Sequence, residues 1–214
     1  MYQPVAFAED RPEILHDLIR THPLGLLVSA GSQGLIADSI PFLMYPEEGE
    51  FGLLRGHLAR ANPHAAALRG VDDCLVAFTG PQGYITPSWY AAKAEHGKVV
   101  PTWNYAAVHV WGQPRVIDDT SWLRRLVGDL TQSQEQRRAA PWAVEEAPAD
   151  YIDGMLRAIV GVEIPIRRIE GKFKMSQNRA MPDRVGVVDG LRAEGALSEP
   201  LAALVALRGE VSGG

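Results

Sequence analysis

Residues 24–58, LGLLVSAGSQGLIADSIPFLMYPEEGEFGLLRGHL, hold three apolar runs separated only by GSQG and PEEGE. Runs this short, cut by glycine-rich and proline-bearing turns, match consecutive antiparallel strands rather than helices. A meander begins here, and an antiparallel barrel with peripheral helices is the simplest architecture it can reach.

The flanking segments fit that plan. EDRPEILHDLIRTHP places Asp10 three residues before Glu13, Pro12 in the first turn, and Ile14, Leu15, Leu18 and Ile19 on one stripe, which predicts a helix. A shorter helix follows at ARANPHAAALRG, with Asn62 as N-cap, Pro63 at the first helical position and Gly70 as terminator. CLVAFTG and GYITPSWY read as further strands, and AAKAEHGK as a surface loop before a long strand through Val108, Val110 and Val116.

Helices are expected from Ser121 through WLRRLVGDLTQSQEQRR and near ADYIDGMLRAIV. In VEIPIRRIEGKFKM the apolar phase changes between Val162, Ile164, Ile166 and Ile169, Phe173, Met175. The change predicts a bulge or bend, and Pro165 confines the strand to an edge or bulge position. One or two short helices end the chain, and EVSGG is expected to fray. With no internal repeat or low-complexity linker, the 214 residues read as one mainly β domain with peripheral helices, an α+β fold. Residues 1–160 form its core with helices, and 161–214 add the last barrel strand and the C-terminal helices.

A formal net charge of −5 removes the long-range attraction to phosphate backbones that a dedicated nucleic-acid binder has. The single cysteine, Cys74, lies in strand-like DDCLVAFTG and forms no intrachain disulfide. No basic leader and no run of eighteen apolar residues occurs, so a cytoplasmic protein without a membrane span is expected.

Several catalytic signatures are absent. IRRIEGKF lacks the upstream glycine and the following Ser or Thr of a phosphate-binding loop, and no dinucleotide fingerprint, G-x-S-x-G, S-x-x-K or H-E-x-x-H occurs. His57, His64, His96 and His109 match no compact metal-ligand spacing, so no metal is expected.

Anion and ring contacts remain. The start of the helix at Asn62, between Arg60 and His64, suits a phosphate as well as an ordinary cap. Over residues 163–179, five basic residues (Arg167, Arg168, Lys172, Lys174, Arg179) stand against Glu163 and Glu170, a local charge of +3. The Ser176, Gln177 and Asn178 between them offer donors and acceptors for the edge of a heterocycle. In VPTWNY, Trp103 and Tyr105 alternate with Asn104, which puts the two aromatics on one face to wall a flat ligand or a subunit interface, with Asn104 pointing away.

Taken together and in order, GHLARANPH, GYITPSWY, VPTWNYAAVHVWG and KFKMSQNR resemble the PaiB family of negative transcriptional regulators, classed with the FMN-binding split barrels. The resemblance covers nearly the whole chain. It implies a six-stranded split β-barrel related to pyridoxamine-phosphate oxidase, and a homodimer with FMN or a similar flavin between subunits. It also implies a phosphate grip at Arg60, Asn62 and His64. Trp103, Asn104 and Tyr105 with Lys174, Ser176, Gln177, Asn178 and Arg179 would then line the ring. Function follows less directly from fold. An FMN-dependent oxidoreductase or flavin sensor is expected, with a regulator acting through DNA or a partner, without redox catalysis, as the alternative. No catalytic acid or base is assignable. The kinship of split barrels with haem-degrading oxygenases offers His57 or His109 as an axial ligand.

Overall fold

The computed structural model describes residues 1–32 and 34–210, so residues 211–214 of the EVSGG segment lie outside it. Six long strands are present: β2 (Leu24–Gly31), β3 (Gly34–Pro41), β5 (Leu53–Ala59), β6 (Cys74–Ile85), β7 (Thr102–Gly112) and β9 (Ile159–Lys174). Three short ones, β1 (Ala8–Glu9), β4 (Leu43–Tyr45) and β8 (Arg115–Ile117), complete a nine-stranded sheet of order β3-β2-β6-β7-β9-β5-β4, with β1 and β8 also paired to β9. The helices are α1 (Pro12–Thr21), α2 (Pro63–Ala67), α3 (Ala92–Glu95), α4 (Thr120–Glu135), α5 (Ala149–Arg157), α6 (Met181–Ala193) and α7 (Glu199–Glu210).

The chain forms two compact units. The larger comprises residues 12–78 and 109–169. In it β2 and β3 make a hairpin in unbroken antiparallel register, from Leu24 opposite Pro41 to Gly31 opposite Gly34. Alternation buries Leu27 of β2, Val76 and Phe78 of β6 and Leu54 and Leu58 of β5, and α1 buries Leu15, Leu18 and Ile19, three of the four residues of its expected stripe. Phe42 and Phe78 meet edge to face at 6.0 Å. Each such buried side chain contributes about 1.5–3 kcal/mol over leaving it exposed. Leu123, Val144, Ile152 and Leu156 form a second cluster around α4 and α5.

The smaller unit comprises residues 1–11, 79–108 and the chain from Glu170 on. There β1 pairs with the end of β9, Ala8 opposite Lys172. Ile85, Phe173, Met175, Val187, Leu191, Leu201 and Val205 are buried.

Four local expectations change. CLVAFTG and the first three residues of GYITPSWY join in the single strand β6, because the fixed φ of Pro81 is compatible with extended chain and demands no turn, whereas Pro87–Trp89 form a 3-10 turn capped by Thr86. AAKAEHGK contains the one-turn helix α3, in keeping with its alanines. The long strand expected through Val116 breaks at Gln113–Pro114, where proline offers no N–H to a ladder, and resumes as β8. Finally, β9 is central, between β7 and β5, so Pro165 is not on an edge strand. It sits at the last paired position of the β5 ladder, opposite Leu53, and the phase change follows at once, at the exposed pair Arg167 and Arg168.

Candidate functional site

In the smaller unit the start of β7 and the end of β9 carry most of the expected residues. Alternation along β7 leaves Trp103 48% exposed, buries Asn104 completely and half-buries Tyr105, so the aromatics share one face and Asn104 the other, as expected. On the outer face the Trp103 indole N–H donates to Gln82 Oε1 at 3.1 Å, and the Tyr84 ring stands edge-on to Trp103 at 6.3 Å. The neighbouring β9 supplies two ammonium groups. Lys172 Nζ lies 5.5 Å from the rings of both Tyr105 and Tyr2, and Lys174 Nζ hydrogen-bonds Thr102 Oγ1.

Behind this face, Asn104 Nδ2 donates to Ser176 Oγ at 2.9 Å, and Asn104 Oδ1 has no partner among the described residues. Ser176 (φ 59°) is the one non-glycine among the described residues with positive φ, a conformation that surrounding contacts must hold. Gln177 supplies them. Its Oε1 accepts from Met175 N at 2.6 Å and its Nε2 donates to the Phe173 carbonyl at 2.5 Å, while Arg179 N donates to the Ser176 carbonyl at 2.9 Å. Gln177 is thereby a brace for the turn, with both ends of its amide engaged. Asn178 is exposed, and the Arg179 guanidinium lies 4.6 Å from the centre of the buried Tyr90 ring.

Arg60, Asn62 and His64 belong to the larger unit, and each makes hydrogen bonds within it. Arg60 makes a two-pronged pair with Asp118 at 2.7 Å on each arm, and also donates to the carbonyls of Arg157 at 2.8 Å and Ile159 at 3.0 Å. Asn62 caps α2 by accepting from His64 N at 2.9 Å. His64 is fully buried between Ser29 Oγ (2.9 Å from Nε2) and Asp38 Oδ2 (2.7 Å from Nδ1). These are the residue types of a hydrolytic Ser-His-Asp triad. Access is reversed, however, with the Ser29 hydroxyl buried and the Asp38 side chain 31% exposed, so no acyl group reaches the nucleophile. The relay ties the β2–β3 hairpin to α2.

The histidines offered as haem ligands also lie in the larger unit. His57 is half-buried with Nδ1 unpartnered among the described residues, and burial lowers its pKa from the ordinary value. His109 stands edge-on to Trp111 at 5.8 Å. No group of three His, Cys, Asp or Glu among the described residues is placed to hold a metal ion, and no described helix is long and apolar enough to cross a membrane.

Sequence reasoning missed Gln82, Tyr84 and Tyr2 as members of the outer face, and counted Lys172 only as charge. The signal available was period-two spacing: Gln82 and Tyr84 share a face of β6 just as Trp103 and Tyr105 share one of β7.

An uncharacterized protein of Emericella nidulans is 36% identical over 247 residues, covering 99% of this chain and 98% of its own. Protease synthase and sporulation protein PAI 2 of Bacillus subtilis is 29% identical over 194 residues, covering 91% of this chain and 90% of its own, and upholds the PaiB resemblance. Among solved structures, the flavocytochrome Anf3 of Azotobacter vinelandii superimposes with a TM-score of 0.54 at 15% identity, over 78% of this chain and 69% of that one, a likeness of fold. The fold is that of the split barrels, and FMN is the cofactor of the matching family. The model of that family, described as "Putative FMN-binding domain", matches residues 1–168, most of the chain, and the protein therefore belongs to this FMN-binding domain family.

Proposed function

We propose that the protein binds FMN as a homodimer with the flavin between subunits, in a redox or flavin-sensing role, and that the outer face of β7 and β9 receives the ring. The observation that carries this reading is the placement of Trp103 and Tyr105 on the accessible face of β7, with Lys172 and Lys174 beside them on β9. The donor set fits the group. A flat aromatic system finds rings to stack on, and its anionic parts find ammonium groups.

Within this reading, bound flavin would supply hydride or electron transfer. The chain's own residues bind and orient. Trp103 and Tyr105 offer stacking area. Lys174, fixed by Thr102, and Arg179, laid on Tyr90, hold positive charge near the ring. Asn104, Ser176 and Gln177 act from behind by setting the end of β9, and Asn178 lies at the exposed rim. For the phosphate, Arg60 has the accessible head of its trio, and a phosphate there would replace Asp118, while Asn62 and His64 fix the helix beside it.

The alternative is a regulator acting through DNA or a partner without redox catalysis, which the PaiB resemblance implies. On α4, Arg124 and Arg125 stand with Asp129 and Glu135, and Asp153 of α5 pairs with Arg124, which leaves little basic face for a duplex.

The test is a visible absorption spectrum after incubation with FMN and desalting. Wild type is expected to stay yellow, and Trp103→Ala and Lys174→Ala each to weaken retention about tenfold, or about 1.4 kcal/mol. Comparable losses from Arg60→Ala would assign the phosphate to that side chain. A wild-type protein that keeps no FMN would overturn the reading.

A further inference from the structure

Within the larger unit, α4 and the segment 141–145 bound an open cleft of about 920 Å³, in the size range of sites that receive ligands. One face of α4 serves the fold, where Leu123 and Val127 pack with Val144, Ile152 and Leu156. The face beside it lines the cleft. Along it, ten positions or about 15 Å of helix separate Arg125 from Glu135. Between them a Cβ on Gly128 would meet nothing within 4 Å, so the floor there is bare helix backbone.

On the opposite wall Trp142 is 44% exposed, and among the described residues no ring or cation stands against its indole. Glu135 is beside it, its Oε2 accepting from the Trp142 backbone N–H at 3.2 Å. Two bases and four acids line the cleft. Arg124 is tied to Asp153, and Asp129 accepts from the Tyr45 hydroxyl at 2.9 Å. Arg125, Glu135 and Glu145 make no ion pair among the described residues. The cleft therefore offers a cation an aromatic plate with a carboxylate at one end, and offers an anion a guanidinium near the other.

We propose that this cleft binds an extended segment of polypeptide about five residues long, with an arginine at the Trp142 end and an acidic residue at the Arg125 end. Shape and charge select this occupant. In an extended chain, residues four apart point the same way and stand about 13 Å apart, which side-chain reach extends to the span between Arg125 and Glu135. A guanidinium can lie flat on the indole while its edge donates to Glu135. A nucleic acid would meet the four carboxylates, and no group of three metal ligands exists among the described residues. The site lies wholly in the larger unit and does not depend on the flavin reading.

An NMR titration of the full-length, isotope-labelled protein tests the proposal, read at the Trp142 indole N–H, which Trp142→Phe identifies by its loss. The probes are blocked pentapeptides with arginine first, glutamate last and alanine between, and the same peptide in reverse order. One of them should give a saturable shift with a dissociation constant of about 0.5 mM, and glutamine in place of either charged residue should weaken it about threefold. Arg125→Gln should weaken the glutamate-bearing peptide about threefold and leave its glutamine counterpart unchanged. Glu135→Gln, which keeps an acceptor for the Trp142 N–H, should do the same for the arginine. Gly128→Leu should abolish binding of every peptide. No saturable shift with either order up to about 5 mM would overturn the proposal. So would binding in which only the arginine counts, or losses from Arg125→Gln that are equal for all peptides. The titration is run with and without FMN, so failure to hold the flavin leaves its outcome intact.

Discussion

Glu9 receives hydrogen bonds from the Arg11 backbone N–H at 3.0 Å and guanidinium at 2.7 and 2.9 Å, and pairs with Arg208 of α7. Burial alone would raise its pKa, but the Arg11 and Arg208 contacts outweigh it and bring the carboxyl from 4.5 down to about 2. A depressed folded-state pKa contributes stability that is present above the unfolded value and is lost as pH falls toward the folded one. The urea midpoint of the wild type should therefore drop between pH 4.5 and 2, and that part of the drop should shrink in Glu9→Gln, whose midpoint at pH 7 is already lower. Equal acid slopes for the two proteins would contradict the assignment. At this scale, short-range patterns were legible and long-range partners were not. The inward turn of Asn104 followed from alternation with Trp103 and Tyr105. The engagement of Arg60 by Asp118, 58 positions away, left no mark in GHLARANPH, because a side chain's partner is set by the fold and not by its neighbours in sequence.

Among elements, glycines of α4 and α6 separate propensity from packing. A Cβ on Gly128 of α4 would meet nothing within 4 Å, whereas on Gly186 of α6 it would stand 1.9 Å from the Trp89 carbonyl oxygen, and on Gly190 2.3 Å from the Trp89 indole. Alanine gains roughly 0.8–1 kcal/mol over glycine in a helix interior, and at Gly128 nothing opposes that gain. At Gly186 the obstacle is backbone, so Gly186→Ala is expected to lose about 1–3 kcal/mol net. Urea titrations with unchanged slopes should show the two substitutions moving stability in opposite directions, and a stabilised Gly186→Ala would refute the close approach. Element type was largely legible, since turn residues and apolar period mark β2 through β5 and α1 locally. Strand order was not. Pro165 pointed to an edge or a bulge on local grounds, and β9 is central, because its place depends on pairing with Leu53 and Val116, far away in sequence.

For the whole molecule, the path of the chain decides how it can unfold. The two compact units are not consecutive pieces: the chain passes from one to the other at residues 11–12, 78–79, 108–109 and 169–170. The last three crossings fall inside β6, β7 and β9. Each of these strands is one stretch of extended backbone that belongs to both units. No single cut releases either unit as a continuous segment. Unfolding as one domain is the consequence, and it is the expectation for all 214 residues. Scanning calorimetry of the flavin-free protein should give one transition with equal calorimetric and van't Hoff enthalpies, and variants that keep only Trp103 of the five tryptophans, in one unit, or only Trp122, in the other, should each show fluorescence with the same midpoint as its own calorimetric transition. Two separated transitions would mean that the halves of β6, β7 and β9 let go independently, and that the compact units are thermodynamic domains in spite of the strands they share.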